Sequence, residues 1–510
     1  IVPSIQLVIY EPSLNVFFKV IENIDLSFLF EDRIPALIVD GLNGEEKKAI
    51  LEKLVTLANI EFIKHYENRS CAALFSAQVI DFMKLLGKTV EDVIVGRNTE
   101  IRYSAVEMDN LFHNIKYLCE GSITTQLCDI IPTDIPAIIV SAGPSLNKNI
   151  MELKRAKNKA FIVAVDTAVR PLVNAGIIPD MYVIVDGLKP KELLDFDEAK
   201  RIPLMPSITS TKEILENHTG KKIFWFEGQR FIWSMMMMNG VPFSTVACGG
   251  SVACSAFSLV YKLGFSRIIL VGQDLALTGN KTHADGTFKS IMDEIDTSRC
   301  IKVPGNYEEE VPTRGDFKLY LDWFNYYIKG CEGIHVINAT EGGAKIDNTE
   351  IMTLHDAIMR ECIKEVDIDA CFEKLKPIFD AEQQHKALEY LKTFPEMYRK
   401  LKKKVIKLNN EYQKLKTICG KSIIDKNAYL KALKNIKNLT QEIEKHELYD
   451  TISCTLTVAN YIIESEQFYE EDTVAAEGLQ IAKQGIAYTK MVEQCIDLFI
   501  PLTEETLLTL

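Results

Sequence analysis

The sequence predicts an α/β protein in three parts: a smaller N-terminal α/β domain (1–120), a Rossmann-like central domain (121–350) and a C-terminal helical domain (351–510). Three observations predict this fold class. Short apolar runs alternate with helical spacing through the centre of the chain, the runs stop at glycine or polar residues, and beyond about residue 350 only helical periodicity remains. A chain of 510 residues is also too long for a single hydrophobic core.

The composition and net charge exclude several classes of binding partner. A formal net charge of -13 argues against a general nucleic-acid or membrane-surface binder, because both partners are polyanionic. No apolar run reaches the roughly 18 residues that span a bilayer, and no signal peptide is visible. The 12 cysteines are scattered without any Cys-x-x-Cys pair, which is typical of reduced thiols. We therefore expect a cytoplasmic protein.

The N-terminal domain is predicted from two apolar runs, each followed by helical spacing. Strands are expected at 5–10 and 36–39, and a helix is expected at 45–57. Residues 99–128 are predicted to be helical and to lead into the central domain.

The central domain opens with an apolar run that breaks into Gly143, Pro144 and Ser145 and then continues as a helix. A buried strand that leads into a glycine turn and a helix presents backbone N–H groups to a phosphate, which predicts a nucleotide site. The alternative is an ordinary strand-to-helix turn, in which Gly143 relieves backbone strain and Ser145 caps the helix.

The next two apolar runs have the same form. A strand expected at 160–165 is followed by Asp166 and Thr167, and a strand expected at 181–185 is followed by Asp186. Because the carboxyl ends of parallel strands line one crevice of an open sheet, these aspartates should share an edge with the first glycine turn. Asp166 alternatively caps the helix that follows it.

A second glycine turn, Gly250-Ser251, repeats this arrangement and opens a helix predicted over 252–263. The remaining strands of this half are expected at 223–226, 243–246 and 267–271. The last of these runs is followed by Gln273 and Asp274. Two such turns on one sheet strengthen the prediction of a nucleotide site.

A polar segment, residues 275–315, follows and contains His283. A segment of this length inside an α/β domain is typical of an active-site lid, with a surface excursion as the alternative. The domain resumes with an aromatic helix over 319–328 and a strand that ends at Asn338, shortly before Glu341. Beyond it, apolar residues three and four apart predict two long amphipathic helices in a hairpin.

Seven motifs of the central region occur in a recognisable order: Ser141-Ala-Gly-Pro-Ser-Leu146, Ala164-Val-Asp-Thr-Ala-Val-Arg-Pro-Leu172, Ala175-Gly-Ile-Ile-Pro-Asp180, Gly249-Gly-Ser-Val-Ala253, Val271-Gly-Gln-Asp-Leu275, Thr278-Gly-Asn-Lys-Thr-His283 and Asn338-Ala-Thr-Glu-Gly-Gly343. Together they resemble the motility-associated-factor (Maf) flagellin glycosyltransferases. The resemblance covers about residues 135–345, and the flanking regions agree only in type. The central domain of that family is similar to bacterial sialyltransferases and also occurs in archaeal 6-hydroxymethylpterin diphosphokinases.

The resemblance implies an enzyme that moves a nonulosonic acid, pseudaminic or legionaminic acid, from its CMP-activated form to Ser or Thr of flagellin, and so supports flagellum assembly and motility. Two alternatives stay open. One is an ATP-dependent enzyme like the pterin diphosphokinases, which would need Mg²⁺. The other is a non-catalytic chaperone that binds flagellin. The large helical region favours the transferase, because a protein acceptor needs docking surface and a pterin does not.

The predicted nucleotide-binding residues are Gly143, Ser145, Asp166, Thr167, Asp186, Gly250, Ser251, Gln273 and Asp274. Attack by an acceptor hydroxyl benefits from a base that titrates near neutrality, so His283 is the predicted base. Glu341 and Asn338 are the alternatives, either as base or to orient the acceptor. No cofactor or metal is expected, since the CMP-sugar is a substrate, and Mg²⁺ enters only under the diphosphokinase alternative. The acidic pairs at 195/197 and 367/369 follow no apolar strand and are interpreted as surface charge on helices.

Overall fold

The computed structural model describes residues 7–27, 34–56, 59–60, 62–226, 228–288, 300–456 and 473–509. It divides into two compact units, one formed by Ile1–Ala105 with Pro395–Pro501 and the other by Val106–Phe394 with Leu502–Leu510. The boundaries of these two units neither confirm nor contradict the three predicted domains, which stay a prediction.

The strands in chain order are β1 (Val8–Glu11), β2 (Ala36–Val39), β3 (Ser122–Ile123), β4 (Ala137–Val140), β5 (Phe161–Val165), β6 (Met181–Ile184), β7 (Leu204–Pro206), β8 (Ile223–Phe224), β9 (Arg267–Val271), β10 (Ile301–Pro304), β11 (Glu310–Thr313), β12 (His335–Asn338) and β13 (Glu350–Ile351). The helices are α1 (Leu14–Ile21), α2 (Gly44–Leu54), α3 (Arg69–Leu74), α4 (Ser76–Glu120), α5 (Leu146–Asn149), α6 (Asp166–Asn174), α7 (Asp197–Arg201), α8 (Lys212–Asn217), α9 (Arg230–Met238), α10 (Val252–Lys262), α11 (Gly315–Gly330), α12 (Leu354–Glu361), α13 (Ile368–Glu373), α14 (Ala381–Lys392), α15 (Phe394–Cys419), α16 (Lys426–Glu444), α17 (Tyr449–Thr455) and α18 (Val474–Thr509).

In the first unit, β1 and β2 form a parallel pair. The helix α2 starts with a reciprocal cap, in which the Glu46 N–H donates to Asn43 Oδ1 and the Asn43 N–H donates to Glu46 Oε2, both at 2.9 Å. The helix ends at Leu54, earlier than the predicted residue 57, and residues 5, 6 and 57 of the predicted elements lie outside the described part.

The predicted helical hairpin is formed by α15 and α16. An ion pair joins Lys404 to Glu442 at 3.0 Å, and Asn435 donates to Glu411 at 3.0 Å. The residue numbers rise along one helix as they fall along the other, so the two helices run antiparallel. Their apolar stripe is buried at Leu401, Val405, Leu408 and Leu415.

The second unit is built on a seven-stranded sheet in the order β13-β12-β9-β4-β5-β6-β7, and every neighbouring pair is parallel. Every residue of β4, β5 and β6 is buried, which is typical of a parallel sheet with both faces covered by helices. The predicted α/β class with a Rossmann-like sheet is therefore confirmed. Two strand pairs lie outside this sheet: β3 with β8, and the antiparallel hairpin of β10 and β11.

Two predictions in this part of the chain were wrong, one of them only in part. The helix expected over 99–128 is interrupted after Glu120, because the Ser122 N–H turns to donate to the Lys222 carbonyl at 3.0 Å and starts the β3–β8 pair; Thr124–Asp129 then form a 3₁₀ helix. The strand expected over 243–246 makes only a single bridge, at Thr245. Pro242 precedes that run without an N–H to donate, and the Ala247 N–H after it donates to Ser258 Oγ at 2.9 Å instead of to a strand.

Candidate functional site

The loops that carry the predicted nucleotide-binding residues meet at one edge of the sheet, which we call the carboxyl edge. They follow the carboxyl ends of β9, β4, β5 and β6, which are consecutive neighbours. Asp274, Ser145, Asp166 and Asp186 therefore follow one another along this edge. The sequence predicted that Asp166 and Asp186 share an edge with the Gly143 turn, but not this order. The loop after β12 carries Glu341 to the same edge, next to the loop after β9.

The topology of the sheet reverses at the pair β4–β9. From β4 the chain continues to β5, β6 and β7 on one side, and from β9 it continues to β12 and β13 on the other. In open α/β sheets the crevice at such a reversal, outside the carboxyl ends of the strands, is where ligands bind. The two loops that flank this point are 141–145 and 272–274.

The turn after β4 is filled by a side chain of the protein itself. The Ser145 N–H lies 3.3 and 3.2 Å from the two carboxylate oxygens of Asp274, and the Ser145 hydroxyl donates to Oδ1 at 2.6 Å. The Gly143 N–H donates to the Gly272 carbonyl at 2.8 Å. The Asp274 carboxylate thus takes the place that a phosphate would take at this turn.

Gly143 is required by this close approach. A Cβ atom at residue 143 would lie 2.0 Å from Asp274 Oδ1 and 2.5 Å from the Gly272 carbonyl oxygen. The Ser145 side chain makes no capping bond to its helix, since its hydroxyl is directed at Asp274. The close approach accounts for Gly143, whereas the helix cap that the alternative expected of Ser145 was wrong; a nucleotide-binding role of the two residues stays a prediction.

Burial of the Asp274 carboxylate is electrostatically unfavourable. Its side chain is 2% exposed, and burial raises its pKa, while the hydrogen bonds from Ser145 and the charge of Lys148 act in the opposite direction. Burial of a carboxylate is tolerated where several donors converge on it. The turn and Asp274 are therefore held together by hydrogen bonds and form the floor of the crevice at the carboxyl edge.

Gln273 and Asn338 extend this floor toward β12. Ser141 Oγ donates to Gln273 Oε1, and the Gln273 N–H donates to Thr340 Oγ1 at 3.2 Å. The Thr340 N–H in turn donates to Asn338 Oδ1 at 3.2 Å, and Asn338 Nδ2 donates to Asn306 at 3.1 Å. Both predicted residues are buried within this network, which joins the loops after β4, β9 and β12.

Glu341 holds the start of a helix at the same edge. Its Oε1 accepts from the Leu354 N–H of α12 at 2.9 Å and from Asn149 Nδ2 at 3.0 Å. Lys148 Nζ donates to the Glu341 carbonyl at 2.8 Å. One carboxylate oxygen of Glu341 is thus committed to structure, which makes it a weaker candidate for the base.

Asp166 lies one strand away from the filled turn. It is 1% exposed, and its Oδ1 accepts from the Thr167 N–H at 2.6 Å and from the Thr167 hydroxyl at 3.0 Å. Its Oδ2 lies 3.2 Å from Lys189 Nζ and accepts no hydrogen bond within the described chain. The capping alternative was wrong, because Val165 is the N-cap of α6 and no side chain caps that helix; Asp166 is its first residue, where a carboxylate interacts favourably with the helix dipole.

Asp186 is held by its backbone rather than its side chain. The Thr211 N–H and hydroxyl both donate to the Asp186 carbonyl, at 3.3 and 3.2 Å. The next residue, Gly187, is fixed by Asn110 of α4, whose Nδ2 donates to its carbonyl at 2.9 Å. The Asp186 carboxylate itself accepts only a 3.4 Å bond from the Leu188 N–H among the described residues.

The second glycine turn lies at the same edge. The helix α10 packs on β4, β5 and β6 and leads into the amino end of β9, so its N-terminus lies at the carboxyl ends of the strands. Ser251 caps α10 by accepting from the Cys254 N–H at 3.3 Å. Gly250 is exposed, and a Cβ atom there would lie 3.1 Å from the Tyr320 ring.

Tyr320 is a residue of this region that the sequence did not single out. Burial raises its pKa, and the negative charges of Asp316 and Asp186 add to the rise, so its hydroxyl lies within electrostatic reach of both. It borders the α10 N-terminus together with Trp323, one helical turn further along α11. The i,i+3 spacing of these aromatic residues was the available sequence signal.

His283 lies on a loop that is tied to the carboxyl edge. The next residue, Ala284, donates its N–H to the Ala142 carbonyl at 2.8 Å, and the Asp285 N–H donates to Asn147 Oδ1 at 3.0 Å. The His283 ring is half-buried, with Nδ1 3.0 Å from Thr282 Oγ1. The polar segment also includes the β10–β11 hairpin, and its residues 289–299 lie outside the described part.

Within the described residues, no group of three or more His, Cys, Asp or Glu side chains is arranged to hold a metal ion. The acidic pairs lie where the sequence interpretation put them: Asp195 pairs with Lys200 at 2.5 Å beside α7, and Asp367 caps α13 by accepting from the Ala370 N–H at 3.0 Å. No described helix combines the length and apolarity that crossing a membrane requires.

The fold is that of an α/β protein with a crevice at the carboxyl edge, and residues 109–280 match the family described as "6-hydroxymethylpterin diphosphokinase MptE-like". The whole chain is similar to a solved structure described as "Structure of MAf glycosyltransferase from Magnetospirillum magneticum AMB-1". The TM-score is 0.58 at 16% identity, over 98% of this chain and 75% of that one. Both findings agree with the resemblance noted in the sequence.

A curated relative gives no further activity. It is an "Uncharacterized protein" of Treponema pallidum (strain Nichols), 24% identical over 144 residues, which are 28% of this chain and 67% of the relative.

Proposed function

We propose that this protein is a glycosyltransferase that moves a nonulosonic acid from a CMP-activated donor to Ser or Thr of flagellin, in support of flagellum assembly and motility. The observation that carries the proposal is the similarity of the whole chain, flanking helices included, to a Maf glycosyltransferase structure. The motifs that resemble that family line the carboxyl edge, at 141–145, 249–251, 271–275, 278–283 and 338–343.

The donor nucleotide is proposed to bind between the filled turn and the start of α10. The Ser145 N–H is already bonded to Asp274, so the phosphate is better accommodated at Gly250 and Ser251. These residues precede α10, a helix of 11 residues whose N-terminus favours negative charge. Asp166 and Asp186 would accept hydrogen bonds from the ribose hydroxyls or the cytosine amino group. Thr167 orients Asp166.

The chemical step is a substitution at the anomeric carbon of the sugar. The acceptor oxygen forms a bond to that carbon, the bond from the carbon to the phosphate oxygen breaks, and CMP leaves with the electron pair. The acceptor proton passes to His283, the proposed base. Asn338 and Glu341 would then hold the loops around the acceptor rather than take the proton, since their side chains bond Asn306 and α12.

This reaction requires no cofactor beyond its two substrates, the CMP-sugar and flagellin. Backbone N–H groups and hydroxyls at the α10 N-terminus are suited to the negative charge that develops on the departing CMP. The cytoplasm, where CMP-sugars are made available to a protein acceptor, is the proposed location. The helical region beyond residue 350 is the proposed docking surface for flagellin.

A second candidate function is an ATP-dependent diphosphokinase, which the MptE-like match over 109–280 favours. It would hold Mg²⁺ with Asp166, Asp186 and Asp274. Against this, Asp274 is buried and bonded to Ser145, and no three carboxylates of the described residues are arranged to hold a metal ion. The third possibility, a chaperone that binds flagellin without catalysis, predicts complex formation and no turnover.

The test is an assay with purified protein, flagellin and either CMP-pseudaminic or CMP-legionaminic acid. We expect the intact mass of flagellin to rise by one or more sugar residues, together with release of CMP. A parallel reaction with ATP, Mg²⁺ and 6-hydroxymethylpterin should release no AMP. AMP release without any mass change of flagellin would overturn the proposal in favour of the diphosphokinase, and flagellin binding without either product would favour the chaperone.

A further inference from the structure

We propose that Lys189, positioned by the buried Asp166 carboxylate, binds the phosphate of the nucleotide donor. This inference rests on the proposed function, since it names a residue that recognises the donor of that reaction. The structure supplies three arguments, from the position, the charge balance and the burial of the pair.

The pair lies at the carboxyl edge. Asp166 follows β5, and Lys189 lies in the loop after β6, the neighbouring strand, three residues beyond Asp186. The helix α10 packs across the same two strands, with Ser251 at its start. Lys189 therefore follows a strand that α10 covers, two strands away from β4 and its filled turn.

The carboxyl edge carries several carboxylates, so an anionic donor can bind there only with a cation close by. Three carboxylates, those of Asp166, Asp186 and Asp274, follow the strands β5, β6 and β9, and an anionic donor would be repelled by them. The first glycine turn offers no compensation, because the Asp274 carboxylate already occupies it. Lys189 is the cation that this edge places beside Asp166.

Other cations near the edge have different partners. Arg314 is bound to Asp316 through both Nε and a terminal nitrogen. Lys148 donates to the Glu341 carbonyl at 2.8 Å, on the far side of the filled turn. The charge of Lys148 acts on Asp274 in the filled turn, whereas Lys189 is paired with Asp166, outside that turn.

The burial of the pair explains how Lys189 is positioned. Asp166 is 1% exposed and the Lys189 side chain is 24% exposed, so the carboxylate is the fixed member and the ammonium is the accessible one. Asp166 Oδ1 is oriented by Thr167, which leaves Oδ2 directed at Lys189 at 3.2 Å. A carboxylate held in this way reduces the conformational freedom of the lysine side chain, so that less of it is lost on binding.

A structural role alone is the competing explanation, and a second pair in the same sheet provides the matched control. Lys157 binds the buried Asp180 carboxylate, which also accepts from the Ile162 N–H at 2.8 Å. Asp180 directly precedes β6, so this pair lies at the amino ends of the strands, opposite the proposed site.

The test compares the affinities for CMP and for cytidine, which differ only by the phosphate, by calorimetric titration without Mg²⁺. We expect the full-length protein to bind CMP more tightly than cytidine. Since a hydrogen bond to a charged group contributes about 1.5–3 kcal/mol, Lys189→Gln should reduce the CMP-to-cytidine affinity ratio by about 10- to 100-fold. Lys189→Arg should retain most of that ratio.

A lone Lys189→Gln substitution leaves a buried carboxylate without its partner and destabilises the fold. The double variant Lys189→Gln/Asp166→Asn removes both charges and should show the same loss of the ratio, whereas the control Lys157→Gln/Asp180→Asn should keep the ratio of the unmodified protein. An unchanged ratio in the double variant would overturn this inference alone. If the unmodified protein bound neither CMP nor cytidine, both the proposed function and this inference would be overturned.

Discussion

Gly143→Ala tests the structural feature on which the site interpretation depends, the insertion of Asp274 into the first glycine turn. The new Cβ would lie 2.0 Å from Asp274 Oδ1 and 2.5 Å from the Gly272 carbonyl oxygen. Neither atom can yield easily, because Asp274 is held by the Ser145 N–H and hydroxyl and Gly272 by the β9 loop. The substitution must therefore displace either the carboxylate or the backbone.

The expected cost follows from these contacts. Overpacking of a tight site costs about 1–3 kcal/mol. Displacing Asp274 also weakens two hydrogen bonds to a carboxylate, each contributing about 1.5–3 kcal/mol, although relaxation avoids part of this sum. We therefore expect Gly143→Ala to lower the free energy of unfolding by about 3–5 kcal/mol.

Urea unfolding followed by tryptophan fluorescence is the appropriate assay, because the 3 tryptophans, at 225, 233 and 323, all belong to the Val106–Phe394 unit. The matched control is Gly330→Ala at the end of α11, where a Cβ atom would meet nothing within 4 Å. This control should unfold at the urea concentration of the unmodified protein or slightly above it. A Gly143→Ala protein as stable as the control would refute the interpretation of the filled turn.

Three further predictions concern the proposed base, the α10 N-terminus and a buried histidine. His283→Ala should lower kcat for sugar transfer by about 10²- to 10⁴-fold with the affinity for CMP unchanged, and an unchanged kcat would exclude it as the base. Ser251→Trp should abolish CMP binding, whereas Ser251→Ala should bind CMP and lose only about 1 kcal/mol of stability with the cap; equal CMP binding by both would contradict the proposed position of the phosphate. His218 is 4% exposed, beside Tyr182, and burial together with the charge of Lys222 lowers its pKa to about 3. The unfolded chain therefore takes up this proton first as the pH falls below about 6.5, and stability should fall by up to about 1.4 kcal/mol per pH unit toward pH 3. His218→Gln should lack this component, so urea midpoints at pH 7 and pH 5 that change equally in both proteins would argue against a buried neutral imidazole.

The carboxyl edge was predictable because it depends on local pattern. Short apolar runs that stop at Gly143, Asp166 or Asp186 indicate parallel strands, and parallel strands bring their ends together without any further information. β9 and β12 have the predicted bounds for the same reason. The very short strands β7 and β13, of three and two residues, carry too little periodicity to be recognised.

The contacts that decide the chemistry were not predictable from the pattern. Asp274 and Ser145 are 129 positions apart, and a glycine turn has the same sequence whether a phosphate or a carboxylate fills it. The Asp166 and Lys189 pair likewise depends on which loops become neighbours in the sheet. The failed strand at 243–246 shows the reverse case, in which the apolar pattern was present but the run forms a single bridge, at Thr245, and the next N–H, of Ala247, donates to Ser258 Oγ.

The most direct test of the central claim, a nucleotide-sugar site at the carboxyl edge, is calorimetric titration of the purified protein with CMP, CDP and ATP, each with and without Mg²⁺. The account predicts binding of CMP that is independent of Mg²⁺ and is lost in Ser251→Trp. Binding of ATP alone, and only with Mg²⁺, would contradict it and identify the diphosphokinase as the better explanation.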